Sequence, residues 1–337
     1  MENKYRLNTA AFHITYVCTH FCPMCYAGEI GGTITPRKHP DIEQVKRVLK
    51  KLKDNGIQTV SYVGGDPAGY PYILEASQYG ASLGFKQSIL SNTLEFGDKA
   101  IEVARYIDSY EGTIHAATAE LHDSFCKRTG AYSGLLKNLK FFSDLGLKIG
   151  LTINLTPFTY NSIYAMVDNI IKVGINVNYV VFQRIIPFGR ATESKKYELD
   201  LRQLDIALND IKKIEGKDIE IIFEDPFPMC AVDIKYQKYM HPCEWGLTKV
   251  SVDYNGDLSR CGADPRCTLG NLFTNSLTDT WINSDELRQF RKKEFLPDKC
   301  NTCSMLNQCG GACPISRSSD DFYSEDYISV LRGQKDD

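Results

Sequence analysis

The sequence predicts an α/β fold on a parallel sheet, from three observations. Short apolar runs of β type alternate with helical segments through the first ~190 residues. The helical stretches are long enough to serve as the crossovers that parallel strands require. Glycine and polar residues gather just after the apolar runs, where the site of such a fold lies.

The elements follow in order. Ala11–Thr15 reads as a strand running straight into the first cysteines. Asp41–Asn55 is helical, with Ile42, Val45, Val48, Leu49 and Leu52 on one face and Gly56 after its end. Thr59–Val63 is a strand ending in Gly64-Gly65, then Tyr72–Leu83 a helix and Lys86–Ser91 a strand. Asp98–Ile107, Gly134–Leu145 and Ser162–Val173 read as helices, each followed by a strand: Thr113–Ala117, Lys148–Leu155 and Asn178–Arg184. Periodicity does not separate an open sheet from a partial barrel. After Arg190 the alternation stops, with Leu199–Ile214 helical and Ile219–Phe223 strand-like. Lys249–Asp253 and Asp257–Cys261 flank Asn255-Gly256, a hairpin signal. Thr278–Lys293 reads as a helix interrupted near Ser284, and Ser316–Asp337 is polar and acidic.

The formal charge of −3 gives no general attraction to nucleic acid or to an anionic membrane. No apolar run reaches the roughly 18 residues that span a bilayer, and the polar N-terminus lacks a secretory signal. A cytoplasmic location is expected. There thiols stay reduced, so the twelve cysteines point to metal ligation rather than disulfides. They also cluster: Cys18, Cys22 and Cys25 near the start, eight between Cys230 and Cys313, and Cys126 alone.

Cys18, Cys22 and Cys25 form C-x3-C-x2-C after a strand. Three thiolates suit a [4Fe–4S] cluster, leaving one iron open to a small chelating molecule. Zinc, with His20 as fourth ligand, is the competing reading. This spacing, ahead of repeated β/α units, resembles the radical S-adenosylmethionine (SAM) superfamily. The resemblance implies a partial (β/α)6 TIM-type barrel, with SAM chelating the open iron. Reductive cleavage then yields a 5′-deoxyadenosyl radical that takes hydrogen from an unactivated C–H bond. Met24 stands where the family usually has an aromatic residue, and Tyr26 follows the third cysteine as a candidate cofactor contact.

The strand ends extend the resemblance. Gly64-Gly65-Asp66-Pro67 is similar to the family's G-G-E-P motif at SAM's ammonium. Ser91-Asn92-Thr93 resembles the ribose-contacting stretch. His122-Asp123 with Lys127-Arg128 resembles the segment after the fourth strand, implying that Arg128 pairs with SAM's carboxylate. Asn154 ends the fifth strand, and Ile186 opens Ile186-Pro187-Phe188-Gly189-Arg190-Ala191, similar to the P-x-G-R-A stretch. Both are candidate cofactor contacts.

Cys243-x12-Gly256-x4-Cys261, then Cys300-x2-Cys303-x5-Cys309-x3-Cys313, resembles the SPASM extension, a smaller C-terminal cluster-binding domain. The resemblance implies one or two auxiliary [4Fe–4S] clusters. Cys243, Cys261 and Cys313 would hold the nearer, with Cys230 or Cys267 as fourth ligand. Cys300, Cys303 and Cys309 would hold the farther. No cysteine follows Cys313, so its fourth ligand is open: Asp320, Asp321, Glu325, or none. Zinc in the last tract, or a single auxiliary cluster, are the alternatives. Cys126 is a candidate hydrogen donor, as in radical epimerases, against an inert buried thiol. His115 is read as a core histidine or a pocket residue, and Glu224-Asp225 as solvated charges or the border of a substrate cleft.

The expected domains are a radical SAM core at 8–195, a connector at 196–229, a SPASM-like domain at 230–318 and an acidic tail at 319–337. The expected function is maturation of a ribosomally made peptide by crosslink, thioether or epimerisation. The alternatives are radical chemistry on a small molecule (sugar, antibiotic precursor or tetrapyrrole) and a non-enzymatic iron–sulfur or zinc protein. A flavodoxin- or ferredoxin-type reductant is expected. Only 17 residues precede Cys18, so a peptide substrate implies a separate leader-recognition protein.

Overall fold

The computed structural model of the chain describes residues 5–28, 38–92, 96, 99–186, 188–191, 194–264, 267–316 and 326–333. Ten strands form one sheet: β1 Thr9–Thr15, β2 Thr59–Gly64, β3 Lys86–Leu90, β4 Ser109–Ile114, β5 Lys148–Leu155, β6 Val177–Arg184, β7 Glu220–Phe223, β8 Lys249–Asp253, β9 Asp257–Ser259 and β10 Thr268–Asn271. Their order is β10-β9-β8-β1-β2-β3-β4-β5-β6-β7. Neighbours from β1 to β7 pair parallel, and β8 joins the free side of β1, also parallel. The hairpin around Asn255-Gly256 forms as the sequence predicts, with β9 antiparallel to β8.

The helices are α1 Ile42–Asp54, α2 Ile73–Ser82, α3 Ala100–Val103, α4 Ala119–Cys126, α5 Ala131–Asp144, α6 Ile163–Lys172, α7 Leu201–Lys212, α8 Leu277–Asn283, α9 Asp285–Arg291, α10 Asp298–Asn301, α11 Leu306–Cys309 and α12 Tyr327–Gly333. Each strand has two faces because its side chains alternate. Phe12, Ile14, Val60, Tyr62, Ile89 and Tyr110 point outward into one core with Val48, Leu49 and Leu52 of α1, Leu139 and Phe142 of α5, and Met166 and Ile170 of α6. The residues between them (Ala11, His13, Ser61, Val63, Ser88, Leu90, Glu111 and Thr113) line a central cavity instead.

The sheet curls. β7 and β8 are seven places apart in the strand order, yet Lys249 on β8 reaches Glu224, just after β7, at 3.4 Å. No strand pairing among the described residues joins these two sides, so the barrel is partial.

Several elements differ from expectation. The alternation continues for one unit beyond Arg190: α7 leads into β7, which pairs parallel with β6. That strand is only four residues long and follows α7 after a single 3-10 turn at Glu215–Lys217, which blurs its signal. The fourth strand is Ser109–Ile114 rather than 113–117. α5 starts three residues early because the Asp123 carboxylate accepts the Gly130 and Tyr132 N–H groups at 2.6 and 2.8 Å. α3 narrows to four residues. Ser284 does divide α8 from α9, capping the second.

Candidate functional site

The cavity lies at the C-terminal ends of the parallel strands and measures about 400 Å³. Many of the residues singled out in the sequence line it, among them Cys18, Cys22, Cys25, Gly64, Gly65 and Cys261, with Tyr26, Asn92, Asn154 and Ile186. The first cysteine cluster and one auxiliary cysteine therefore face a single chamber.

Two strand ends hold the cysteine loop. The β1/β2 register shifts between His13 and Thr15, turning the chain out of the sheet just before Cys18. Gly65 and Asp66 then donate their N–H groups to the carbonyls of Thr15 and Val17 at 2.7 and 2.9 Å. A Cβ on Gly64 would sit 2.1 Å from the Thr15 carbonyl oxygen, and one on Gly65 2.3 Å from that of Val17. Glycine is required there for backbone to meet backbone. From the other side Arg190 N–H donates to the Cys25 carbonyl at 3.0 Å, and its guanidinium Nε to that of Cys22 at 2.9 Å. Gly189, with φ +61°, lets this segment press on Tyr26.

Other predicted residues stand off the cavity. Asp66 is buried; its carboxylate accepts the Ala68 N–H and the Ser91 hydroxyl, so both side chains brace the turn. Pro67 opens that turn. Arg128 is exposed. It follows Lys127, which ends α4 in the left-handed conformation, and it acts electrostatically on His20 of the cysteine loop. Cys126 is buried against Cys22, one shell behind the chamber lining. His115 does face the chamber, its Nε2 4.0 Å from Cys22 Sγ. Thr93 and Pro187, like Asp320, Asp321 and Glu325, lie outside the described residues.

The C-terminal cysteines divide into two sets. Cys261 and Cys313 pack together with Ile186 and Ile315, and Cys243 acts electrostatically on both. Burial raises all three thiols, with Asp225 adding to the effect. Cys267 binds into a polar network: it donates to Asp264 Oδ2 at 3.1 Å and accepts from Arg260 Nη2 at 3.3 Å. Burial pushes its thiol up to about 12. Cys230, which the sequence offered as a fourth ligand of the nearer set, stands with the farther one instead. It sits on the turn Met229–Ala231, which packs on α12, and shares a small cavity with Cys300, Cys303 and Cys309.

Glu111, Tyr179 and Lys249, which sequence reasoning passed over, line the chamber beside Glu224 and Asp225. Glu111 is hydrogen-bonded to Thr152 and Tyr179, and burial raises its pKa. Lys249 pairs with Glu244 at 2.7 Å as well as with Glu224. Burial, then Glu224, lifts Asp225 to about 7. Both acidic residues line the chamber rather than standing in solvent.

The C-terminal cysteines are spread too widely for a single ion. Among the described residues, only His20, Cys22 and Cys126 bring three donor atoms within 4.8 Å of one another. A tetrahedral zinc needs sulfurs about 3.8 Å apart at its bond length of ~2.3 Å; no three C-terminal cysteines approach that. Arg260 is fully buried beside Cys243, Cys261 and Cys267. Its Nη1 has no hydrogen-bond partner among the described residues. An anionic thiolate-bound cluster is the kind of neighbour that such a guanidinium lacks.

Comparison with known proteins agrees. The model of the Radical SAM superfamily matches residues 12–180. That of SPASM, an iron–sulfur cluster-binding domain, matches residues 243–304. An AdoMet-dependent heme synthase of Oleidesulfovibrio alaskensis is 21% identical over 89% of this chain and 81% of its own. The antilisterial bacteriocin subtilosin biosynthesis protein AlbA of Bacillus subtilis is 23% identical over 97% of this chain and 71% of its own. Streptococcus suis SuiB bound to S-adenosylmethionine has the same fold, with TM-score 0.75 and 20% identity over 96% of this chain and 77% of its own. SuiB is also known bound to its precursor peptide SuiA. No helix among the described residues is long and apolar enough to cross a membrane. With the cysteine loop, the strand-end chamber and both domain matches in agreement, this chain belongs to the radical SAM superfamily, carries a C-terminal SPASM domain, and takes SAM and [4Fe–4S] clusters as its cofactors.

Proposed function

We propose that the chain matures a ribosomally made peptide by abstracting hydrogen from one of its C–H bonds. The observation that carries this reading is the shared chamber: the SAM-side cysteines and Cys261 of the nearer auxiliary set face it together. Cys18, Cys22 and Cys25 would hold the SAM-binding cluster, and Cys243, Cys261 and Cys313 the nearer auxiliary one. When bound, the first cluster supplies the electron that splits SAM to a 5′-deoxyadenosyl radical. Arg190, Gly64 and Gly65 fix the cysteine loop; Asn92, Asn154, Tyr26 and Ile186 line the space for SAM. The electron comes from a flavodoxin- or ferredoxin-type reductant.

The chamber chemistry supports a peptide over a carboxylate-rich tetrapyrrole. Glu111, Glu224 and Asp225 line it against Lys249. Arg184 and Arg190 are committed to Asp326 and to the Cys22 carbonyl. With Lys249 paired to Glu224 and Glu244 as well, the cations lining the chamber are already engaged, so several substrate carboxylates would lack partners there. Similarity to the heme synthase is the observation favouring a tetrapyrrole.

The test is anaerobic incubation of the reconstituted protein with SAM, a reductant and peptides encoded beside its gene. We expect 5′-deoxyadenosine and a peptide lighter by two hydrogens, or epimerised at unchanged mass. The Cys18→Ala, Cys22→Ala and Cys25→Ala variants should form no 5′-deoxyadenosine. Unmodified peptides together with turnover of a tetrapyrrole would overturn the substrate reading; zinc in place of iron at the first site would overturn the chemistry.

A further inference from the structure

The farther set has three cysteines in its motif and none after Cys313. The structure brings a fourth from the opposite direction in sequence. Cys230, Cys300, Cys303 and Cys309 line one cavity of about 40 Å³. Cys300 is on α10 and Cys309 on α11, while Cys230 arrives on the turn that precedes the hairpin domain. That turn is already tied to the set, since Met229 N–H donates to Cys309 Sγ at 3.4 Å. N–H···S bonds of this kind suit a sulfur that carries negative charge, as a metal-bound thiolate does. α12 backs the turn from the other side, with Ser329 Oγ 3.7 Å from Cys230 Sγ.

We propose that Cys230 is the fourth protein ligand of the farther cluster, closing it with four thiolates. The oxygen rival within the same cavity is spoken for: both Asp326 carboxylate oxygens accept from Arg184, at 2.7 and 2.9 Å. A closed four-cysteine set has no open iron for substrate, so this cluster transfers electrons only. The chain then carries three clusters, and Cys267, beside Arg260 with Cys243 and Cys261, is left as the candidate fourth ligand of the nearer one. The inference rests on reading Cys300, Cys303 and Cys309 as a cluster site.

Thiol alkylation of the anaerobically loaded full chain tests it without a mutation. Cys230 is an exposed cysteine, so a free thiol there is open to iodoacetamide at alkaline pH. Peptide mapping by mass spectrometry should find Cys230 labelled at least tenfold more slowly in loaded protein than after chelator stripping. Equal labelling with the clusters intact overturns the assignment. Iron analysis gives a second readout in a Cys18→Ala/Cys22→Ala/Cys25→Ala background, which isolates the auxiliary clusters. There Cys230→Ala should lower bound iron or convert one cluster to a three-iron form visible by electron paramagnetic resonance. Cys230→Ser, which keeps a ligand atom, should retain iron with an altered signal. If Cys300→Ala loses iron and Cys230→Ala does not, the ligand assignment alone fails. If neither changes bound iron, the cluster site fails and the assignment with it.

Discussion

At the scale of residues, His122 links burial to pH. Burial lowers its pKa from 6.5 to about 4, and its Nδ1 accepts the His115 backbone N–H at 3.2 Å. A protonated ring could not accept that bond. Because the folded-state pKa lies below the unfolded one, the unfolded chain takes up the proton first as pH falls. His122 therefore contributes its full stability above about pH 6.5 and loses it on the way down to about pH 4. At about 1.4 kcal/mol per unit, the shift corresponds to roughly 3 kcal/mol. His122→Gln keeps an acceptor and removes the titration. Its unfolding free energy, from urea titrations, should fall about 2 kcal/mol less than the parent's between pH 6.5 and 4.5. Parallel curves for the two proteins would refute this.

At the scale of elements, the join between β2 and the cysteine loop decides activity. Gly65→Ala drives a Cβ into the Val17 carbonyl and the Tyr16 carbonyl carbon, which are backbone atoms that cannot swing aside. The loop carrying Cys18 must move. We expect at least tenfold less 5′-deoxyadenosine from SAM, with less iron retained. Gly146→Ala is the control: its φ of +81° is also strained for alanine, but nothing lies within 4 Å of the new Cβ. It should cost about 1 kcal/mol of stability and leave SAM cleavage unchanged; equal activity loss in both variants would defeat the argument. The elements were largely legible beforehand because each β/α unit carries its own signals, such as the Asp41 cap and the Val45-Val48-Leu49-Leu52 stripe of α1. β7 was read only as strand-like because four residues carry little periodicity. The three leading cysteines were legible as metal ligands from their spacing, and as a cluster site only with the strand ends that follow. Glu111, Tyr179 and Lys249 were not, since a polar residue on a strand reads as solvent-facing until the sheet curls it inward. The partnership of Cys230 was hidden by the seventy residues that separate it from Cys300.

At the scale of the whole molecule, one buried ion pair ties the barrel to the C-terminal segment. Arg184 ends β6 and lines the chamber. Its guanidinium reaches Asp326 through two parallel bonds and lies over the rings of Phe227 and Tyr327, at 4.4 and 5.0 Å. Its backbone N–H donates to Asp225 Oδ2 at 3.2 Å. Asp326 in turn precedes α12, which supports the Cys230 turn. The chamber and the farther cysteine set thus share one anchor. Removing a single partner strands the other charge where water cannot reach it, since both side chains are no more than 3% exposed. Asp326→Ala should therefore destabilise the fold by roughly 3–5 kcal/mol. Replacing both partners, as in Arg184→Met/Asp326→Leu, removes the stranded charge and should cost clearly less than the single change. Urea unfolding of the parent, Asp326→Ala and the double variant makes the comparison. A double variant at least as unstable as Asp326→Ala would mean that hydrogen bonds and ring contacts, rather than the compensation of buried charge, hold the C-terminal helix to the barrel.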